Sequence, residues 1–157
     1  MTDYFAAPGD ALAATVVHAE DGPSTSARGS GEPLFDTVRM PGVEPFVMLG
    51  TLAEHVCGRP YGEVTADPRH GILVVGADEG PWVVTVSTEL TDRLATTSAV
   101  RLSEAALDWA GRTPGADPAL VVPAVVALGE LAWRAAEVRH ALYCWTRLPE
   151  VPVSARR

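Results

Sequence analysis

The chain has 157 residues, of which 47% are hydrophobic and 20% charged, and 12 basic against 20 acidic side chains give a net charge of −8 at pH 7. This length and apolarity predict one compact domain and exclude an intrinsically disordered protein. The sequence contains no lysine, asparagine or glutamine, a usage typical of a GC-rich bacterial genome. The missing lysine excludes Schiff-base and Walker-type phosphate chemistry.

The acidity and the cysteine count exclude further classes. An acidic chain repels phosphate backbones, and its arginines are scattered singly, so we expect no nucleic-acid partner. No apolar run approaches the length of a membrane span, and the first twenty residues show no signal-peptide pattern. We therefore expect a cytoplasmic protein without membrane contact, whose Cys57 and Cys144 are buried thiols and not a disulfide.

The N-terminal third predicts two strands and one helix. A first strand contains Tyr4 and Phe5, and Asp10 is a plausible N-cap of a short helix that ends before Gly22 and carries Leu12, Val16 and Val17. Residues 21–33 are small, polar and rich in glycine and proline, so we expect a flexible internal loop. A strand over residues 34–40 follows and stops at Pro41-Gly42.

The middle of the chain predicts a helix and a strand pair. The helix starts near Pro45, ends at Gly58, which favours a C-terminal cap, and has apolar residues at three- and four-residue steps: Phe46, Leu49, Leu52, Ala53 and Val56. Residues 72–75 are apolar at every position, and residues 82–86 are nearly so. They predict two antiparallel strands that are covered on both faces.

The C-terminal half predicts three helices and a strand. The first is capped by Ser87 or Thr88, and the second has the core stripe Leu102, Ala105, Ala106 and Trp109. Asp117-Pro118 starts the third, which runs to about Arg139, is kinked or delayed by Pro123, and pairs Glu130 with Arg134. Its expected inward residues are Leu120, Ala124, Leu128, Leu131, Ala135 and Val138.

Residues 141–147 have large side chains on both faces and predict a central strand. Residues 149–157 predict a disordered C-terminal tail. The order of the elements indicates an α+β fold, in which residues 1–148 form a single compact domain with helices packed on a small mixed sheet.

The segment from residue 59 to 70 is the candidate site. It joins a helix to a strand without a helical or strand period, and it concentrates five side chains suited to binding: Arg59, Tyr61, Asp67, Arg69 and His70. A structural role is the alternative, because Asp-Pro and His-Gly pairs form turns and arginine can cap a helix. A catalytic role would use His70 with Asp67 or Glu63 as acid and base.

Other patterns point away from catalysis. His55 and Cys57 lie two residues apart on a helix and point in different directions, so they cannot form a thiol–imidazole pair. The histidines at positions 18, 55, 70 and 140 stand alone and predict no metal site, and no motif predicts a cofactor. The four tryptophans, at 82, 109, 133 and 145, are expected mainly in the core.

From residue 46 to 147 the chain resembles the uncharacterised YfbM-like family of small bacterial proteins. The resemblance rests on FVMLGTLAEHVCG, HGILVVG, EGPWVV, STELTDRLA and the closing ALYCW, and the N-terminal DYFAAP is similar to that family's opening strand. The insert at 21–33 and Pro123 depart from the pattern. The resemblance implies a compact α+β domain and supplies no catalytic residues.

These observations favour a non-catalytic module that binds a protein partner or a small ligand, as an accessory or immunity-type protein does. Acidic domains of this size can neutralise basic partners through complementary charge. Two alternatives remain at this point. One is a small enzyme that uses the acid and base residues of the 59–70 segment, and the other is a structural subunit that forms a homodimer through an apolar helix face.

Overall fold

The computed structural model describes residues 1–148, so the tail predicted for 149–157 lies outside the described residues. The elements in chain order are β1 Thr2–Ala7, α1 Asp10–Ala14, β2 Thr37–Arg39, α2 Val47–Cys57, α3 Tyr61–Val64, β3 Leu73–Gly76, β4 Trp82–Thr85, α4 Thr88–Thr96, α5 Ala99–Arg112, α6 Pro118–Glu137 and β5 Ala141–Thr146.

The strands form one five-stranded sheet in the order β2-β1-β5-β4-β3, which confirms the α+β class and the central position of β5. Every pairing is antiparallel, whereas the sequence led us to expect a mixed sheet. The order of elements along a chain does not define which strands become neighbours. Here the first and last strands pair over six residues, from Thr2 opposite Thr146 to Ala7 opposite Ala141.

Helices cover one face of the sheet. Tyr4, Leu142 and Cys144 project from the sheet into a core that is closed by α2, α4, α5 and α6. The helices contribute the large buried side chains Leu49, Leu52, Leu90, Leu94, Leu102, Trp109 and Leu128. Burial of this apolar surface is the main stabilising contribution to the domain.

The N-terminal segment covers the other face. Phe5, Val83, Tyr143 and Trp145 pack there against Ala13, Val16, Val17 and Phe35. The helix expected to reach Gly22 ends at Ala14, and its N-cap is Gly9 and not Asp10. Gly22 begins a short 3-10 helix, Gly22–Ser24, and lies against the Trp145 ring, so the start of the 21–33 segment contacts the sheet.

Three local signals in the sequence are confirmed. Gly58 ends α2 with a φ of 64°, the left-handed region that glycine adopts readily. The Ser87 side chain accepts a hydrogen bond from the Leu90 N–H and caps α4, and the Asp117 side chain accepts one from the Ala119 N–H at the start of α6.

The expected orientation of α6 is partly wrong. Leu128, Leu131 and Ala135 are buried as expected, but Leu120 and Val138 are each 59% exposed. Val121, Val125 and Ala132 are buried in the core. The helix is apolar around most of its circumference, so periodicity alone does not define which face turns inward. Contrary to the expectation that no apolar run approaches this length, α6 would by length and composition suffice to cross a membrane, with a mean hydropathy of 1.6, a test that the core helix of a soluble protein also passes.

The strand β3 differs from its expected environment. It lies at the edge of the sheet, and Leu73 is 54% exposed instead of covered on both faces. Its partner β4 has the predicted burial at Val83 and Val84. An apolar run does not distinguish an edge strand from a central one, because edge position is set by the rest of the sheet.

Candidate functional site

The first residues of the 59–70 segment form ion pairs within the protein. Arg59 donates to Glu89 on α4 at 2.6 Å and to Glu63 at 3.1 Å. Glu63 belongs to α3, a four-residue helix in a region where the sequence showed no helical period. Tyr61 packs against Gly50 of α2, where a Cβ would lie 2.7 Å from the Tyr61 ring.

Asp67 ties the segment to the start of α4. One carboxylate oxygen accepts from the Arg69 backbone N–H at 2.8 Å, and the other accepts from the Glu89 N–H at 3.1 Å. The hydroxyl of Thr85, the last residue of β4, donates to the backbone carbonyl of Arg69. Asp67 is therefore engaged by backbone donors, as in an Asx turn.

Arg69 forms a bidentate ion pair with Asp10 of α1, with N–O distances of 2.8 and 3.1 Å. The Tyr143 hydroxyl donates to the same carboxylate at 2.7 Å. These hydrogen bonds, first from Arg69 and then from Tyr143, lower the pKa of Asp10 to about 2. Burial and the Asp10 carboxylate raise the pKa of Tyr143 to about 12.

The His70 imidazole lies beside a backbone carbonyl. Its Nε2 atom is 3.1 Å from the oxygen of Phe46, and within residues 1–148 no carboxylate pairs with His70. The segment thus links α1, α2, α4 and β5 through its own side chains. That it also binds a ligand or a partner stays a prediction.

A second surface has features that the sequence did not reveal. An open apolar groove of about 390 Å³ lies between α4, α5 and α6. Its apolar walls are Leu94, Ala95, Leu102, Val126 and Trp133. Trp133 is 57% exposed, although we expected the tryptophans mainly in the core, and Trp109 and Trp145 are indeed buried.

Gly129 allows α6 to approach the other two helices at the base of this groove. A Cβ at Gly129 would lie 2.4 Å from Leu102 Cδ1 and 3.3 Å from the carbonyl oxygen of Leu94. Because Gly129 has no side chain, α6 can pack directly against Leu102 of α5 and the backbone of α4. Trp133, one turn further along α6, lines the groove beside them.

Of the two charged residues on the groove, Arg134 has an ion-pair partner and Glu130 has none among residues 1–148. Arg134 donates to both carboxylate oxygens of Asp36, at 2.6 and 3.0 Å, and not to Glu130 as the sequence predicted. Glu130 is exposed and has no ion-pair partner among residues 1–148. The groove therefore combines an apolar wall with an uncompensated negative charge.

A third region lies between α2 and α5. The Nδ1 atom of His55 is 3.0 Å from a carboxylate oxygen of Asp108, and this pair borders two clefts of about 460 and 640 Å³. Cys57 lines the smaller cleft, and burial raises its pKa to about 11, which disfavours the thiolate. His55 and Asp108 are 53 residues apart, and no local pattern predicts that they meet.

Within residues 1–148, no group of three or more histidine, cysteine, aspartate or glutamate side chains is arranged to hold a metal ion. No family model, no curated protein and no solved structure matches the chain. The resemblance to the YfbM-like family stays a hypothesis.

Proposed function

We propose that this protein is a non-catalytic binding module whose groove between α4, α5 and α6 accepts an amphipathic helix of a basic protein partner. The proposal rests on the exposure of Trp133, a large aromatic side chain of the apolar groove that is 57% exposed. Tryptophan is enriched among the residues that dominate binding energy at protein interfaces.

The shape of the groove supports a helical partner. Its walls are formed by α4, α5 and α6, and its apolar residues extend along one side of α6 from Val126 to Trp133. An amphipathic helix binds such a surface by inserting side chains at three- and four-residue steps. Exposed apolar patches on a domain of this size commonly mark such contacts.

Charge supports a basic partner. The chain carries a net charge of −8, and Glu130 on the groove has no ion-pair partner in the described part of the chain. Complementary charge increases the association rate and makes association sensitive to salt. An accessory or immunity-type protein, which neutralises a basic target, would have these properties.

The competing proposal is a small enzyme that uses acid and base residues of the 59–70 segment. It has less support, because Asp67 accepts two backbone hydrogen bonds and Glu63 pairs with Arg59. His70 lies beside the Phe46 carbonyl and not beside a carboxylate. Catalysis by these groups would require them to leave their present partners.

The proposal is tested with two designed helical peptides of equal length, one of leucine and lysine and the other of leucine and glutamate. We expect the fluorescently labelled basic peptide to bind with a rise in its fluorescence anisotropy, and the labelled acidic peptide to bind far more weakly. Trp133→Ala should weaken binding by about 30-fold, the effect typical of a central interface residue.

Leu107→Ala is the matched control, because Leu107 is 58% exposed on α5 but does not line the groove. This variant should bind as the unmodified protein does, and both variants should melt at nearly the same temperature. Equal binding of the two peptides, or equal losses in the two variants, would contradict the proposal.

A further inference from the structure

The smaller cleft beside His55 is lined by two of the arginines of this acidic protein, Arg93 and Arg101. It has a volume of about 460 Å³ and lies between the C-terminal turn of α2, the end of α4 and the first turns of α5. Its polar lining consists of His55, Arg93, Thr97, Arg101, Glu104 and Asp108. It is adjacent to the apolar groove, and Thr97 and Leu102 line both.

Neither arginine of the cleft has an ion-pair partner among the described residues. Five other arginines form ion pairs with carboxylates: Arg39, Arg59, Arg69, Arg112 and Arg134. Arg93 and Arg101 form no ion pair and no side-chain hydrogen bond within residues 1–148. Both guanidinium groups are therefore available to a ligand in the same cleft.

The carboxylates of the cleft do not balance these charges. Asp108 is engaged by His55, at 3.0 Å from Nδ1, and by Arg112, whose Nε donates to it at 3.3 Å. Glu104 is then the remaining acidic side chain of the cleft. The lining of this cleft therefore holds two unpaired guanidinium groups and one unpaired carboxylate, although Arg93 also borders a neighbouring cleft lined by Asp67, Glu89 and Asp92.

His55 adds an oriented polar group to the lining. Because its Nδ1 faces Asp108, its Nε2 is the ring nitrogen left for a ligand, and Nε2 forms no hydrogen bond or ion pair within residues 1–148. A carboxylate that holds one ring nitrogen fixes the orientation of the imidazole. The side chain is 20% exposed, so the ring is accessible from the cleft.

We propose that this cleft binds a small dianion, a phosphate group or a dicarboxylate, between Arg93 and Arg101, with Nε2 of His55 as a third contact. Planar guanidinium groups bind carboxylate and phosphate oxygens in bidentate geometry. A doubly charged ligand matches two guanidinium groups and tolerates the nearby Glu104, whereas a single negative charge matches them only in part. This cleft borders the peptide groove, and the inference does not depend on the proposed function.

The test is a titration of the full-length protein followed by NMR of its histidine side chains. Inorganic phosphate, succinate and chloride are added separately at matched ionic strength and neutral pH. We expect the His55 signals to shift along a saturating curve with phosphate, with succinate or with both, while the signals of His18 and His140 stay in place. Saturation with only one of the two dianions would identify the ligand class.

Variants separate a site from general charge attraction. Arg93→Ala with Arg101→Ala should weaken binding by about tenfold for each guanidinium removed. Arg28→Ala with Arg139→Ala removes the same charge from arginines outside the cleft and should leave binding unchanged. Glu104→Gln should tighten binding, because it removes the competing negative charge.

Three results would overturn the inference. The first is a shift that never saturates, and the second is an equal shift with chloride. The third is equal weakening in the two double-arginine variants, which would show that only the net charge of the protein matters. Melting curves of both double variants confirm that each remains folded.

Discussion

Replacing Gly22 with alanine tests how closely the N-terminal segment packs on the sheet. Gly22 has a φ of +55°, and a Cβ at this position would lie 2.5 to 2.8 Å from three carbons of the Trp145 ring. Trp145 is fully buried in the central strand β5, so its ring has little room to move.

The expected loss follows from two contributions. An L-residue in the left-handed region costs about 1–2 kcal/mol, and forcing extra volume into a packed core costs about 1–3 kcal/mol. The sum is about 2–5 kcal/mol, against about 5–15 kcal/mol for the whole free energy of unfolding of a typical domain.

Gly29→Ala is the matched control. Gly29 has a φ of +85°, also in the left-handed region, but a Cβ there would meet no atom within 4 Å. This variant should lose only the backbone contribution of about 1–2 kcal/mol. The difference between the two variants therefore measures the contact with Trp145, and both share any effect on the unfolded chain.

The assay is urea unfolding followed by tryptophan fluorescence, with the slope of the transition compared among the three proteins. We expect Gly22→Ala to be less stable than Gly29→Ala by about 1–3 kcal/mol. Equal stabilities of the two variants would refute the packing of the 21–33 segment against Trp145.

Further predictions concern charge and helix packing. The pKa of Asp10 is lowered from 3.8 to about 2, so its stabilising contribution is present above about pH 4 and is lost as the pH falls towards 2. The free energy of unfolding of Asp10→Asn should therefore fall less steeply over this pH range than that of the unmodified protein. Arg69→Ala should lower stability by about 1 kcal/mol through loss of its bidentate pair, whereas Arg101→Ala should leave thermal melting unchanged. Gly111→Ala adds a side chain into open space on α5 and should raise the free energy of unfolding by about 0.5–1 kcal/mol. Gly129→Ala should show no such gain, because its Cβ would clash with the Leu102 side chain. Calorimetry measures the stability of both variants.

Structural features that depend only on neighbouring residues were predictable from the sequence. The glycine that ends α2 and the Asp-Pro pair that starts α6 act within one helical turn, and both are confirmed. The pairing of β3 with β4 follows from the short turn between them.

Features that depend on distant residues were not predictable. Arg134 pairs with Asp36, which is 98 residues away, and not with Glu130 on the same helix. The groove requires three helices to meet, and its exposed Trp133 lies on a helix whose apolar residues favour no single buried face. The sequence indicated that the 59–70 segment is rich in polar groups, but the partners of Arg69 on α1 and β5 depend on the folded chain.

Photo-crosslinking from the groove tests the proposed binding function most directly. A photoreactive phenylalanine derivative is placed at position 133 in the source cells, and a second protein carries it at the exposed control position 107. We predict that position 133 crosslinks to one basic protein, within a segment whose apolar residues recur at helical spacing, and that salt reduces this crosslink. Crosslinks that are the same from both positions, or that join position 133 to acidic proteins, would contradict the account.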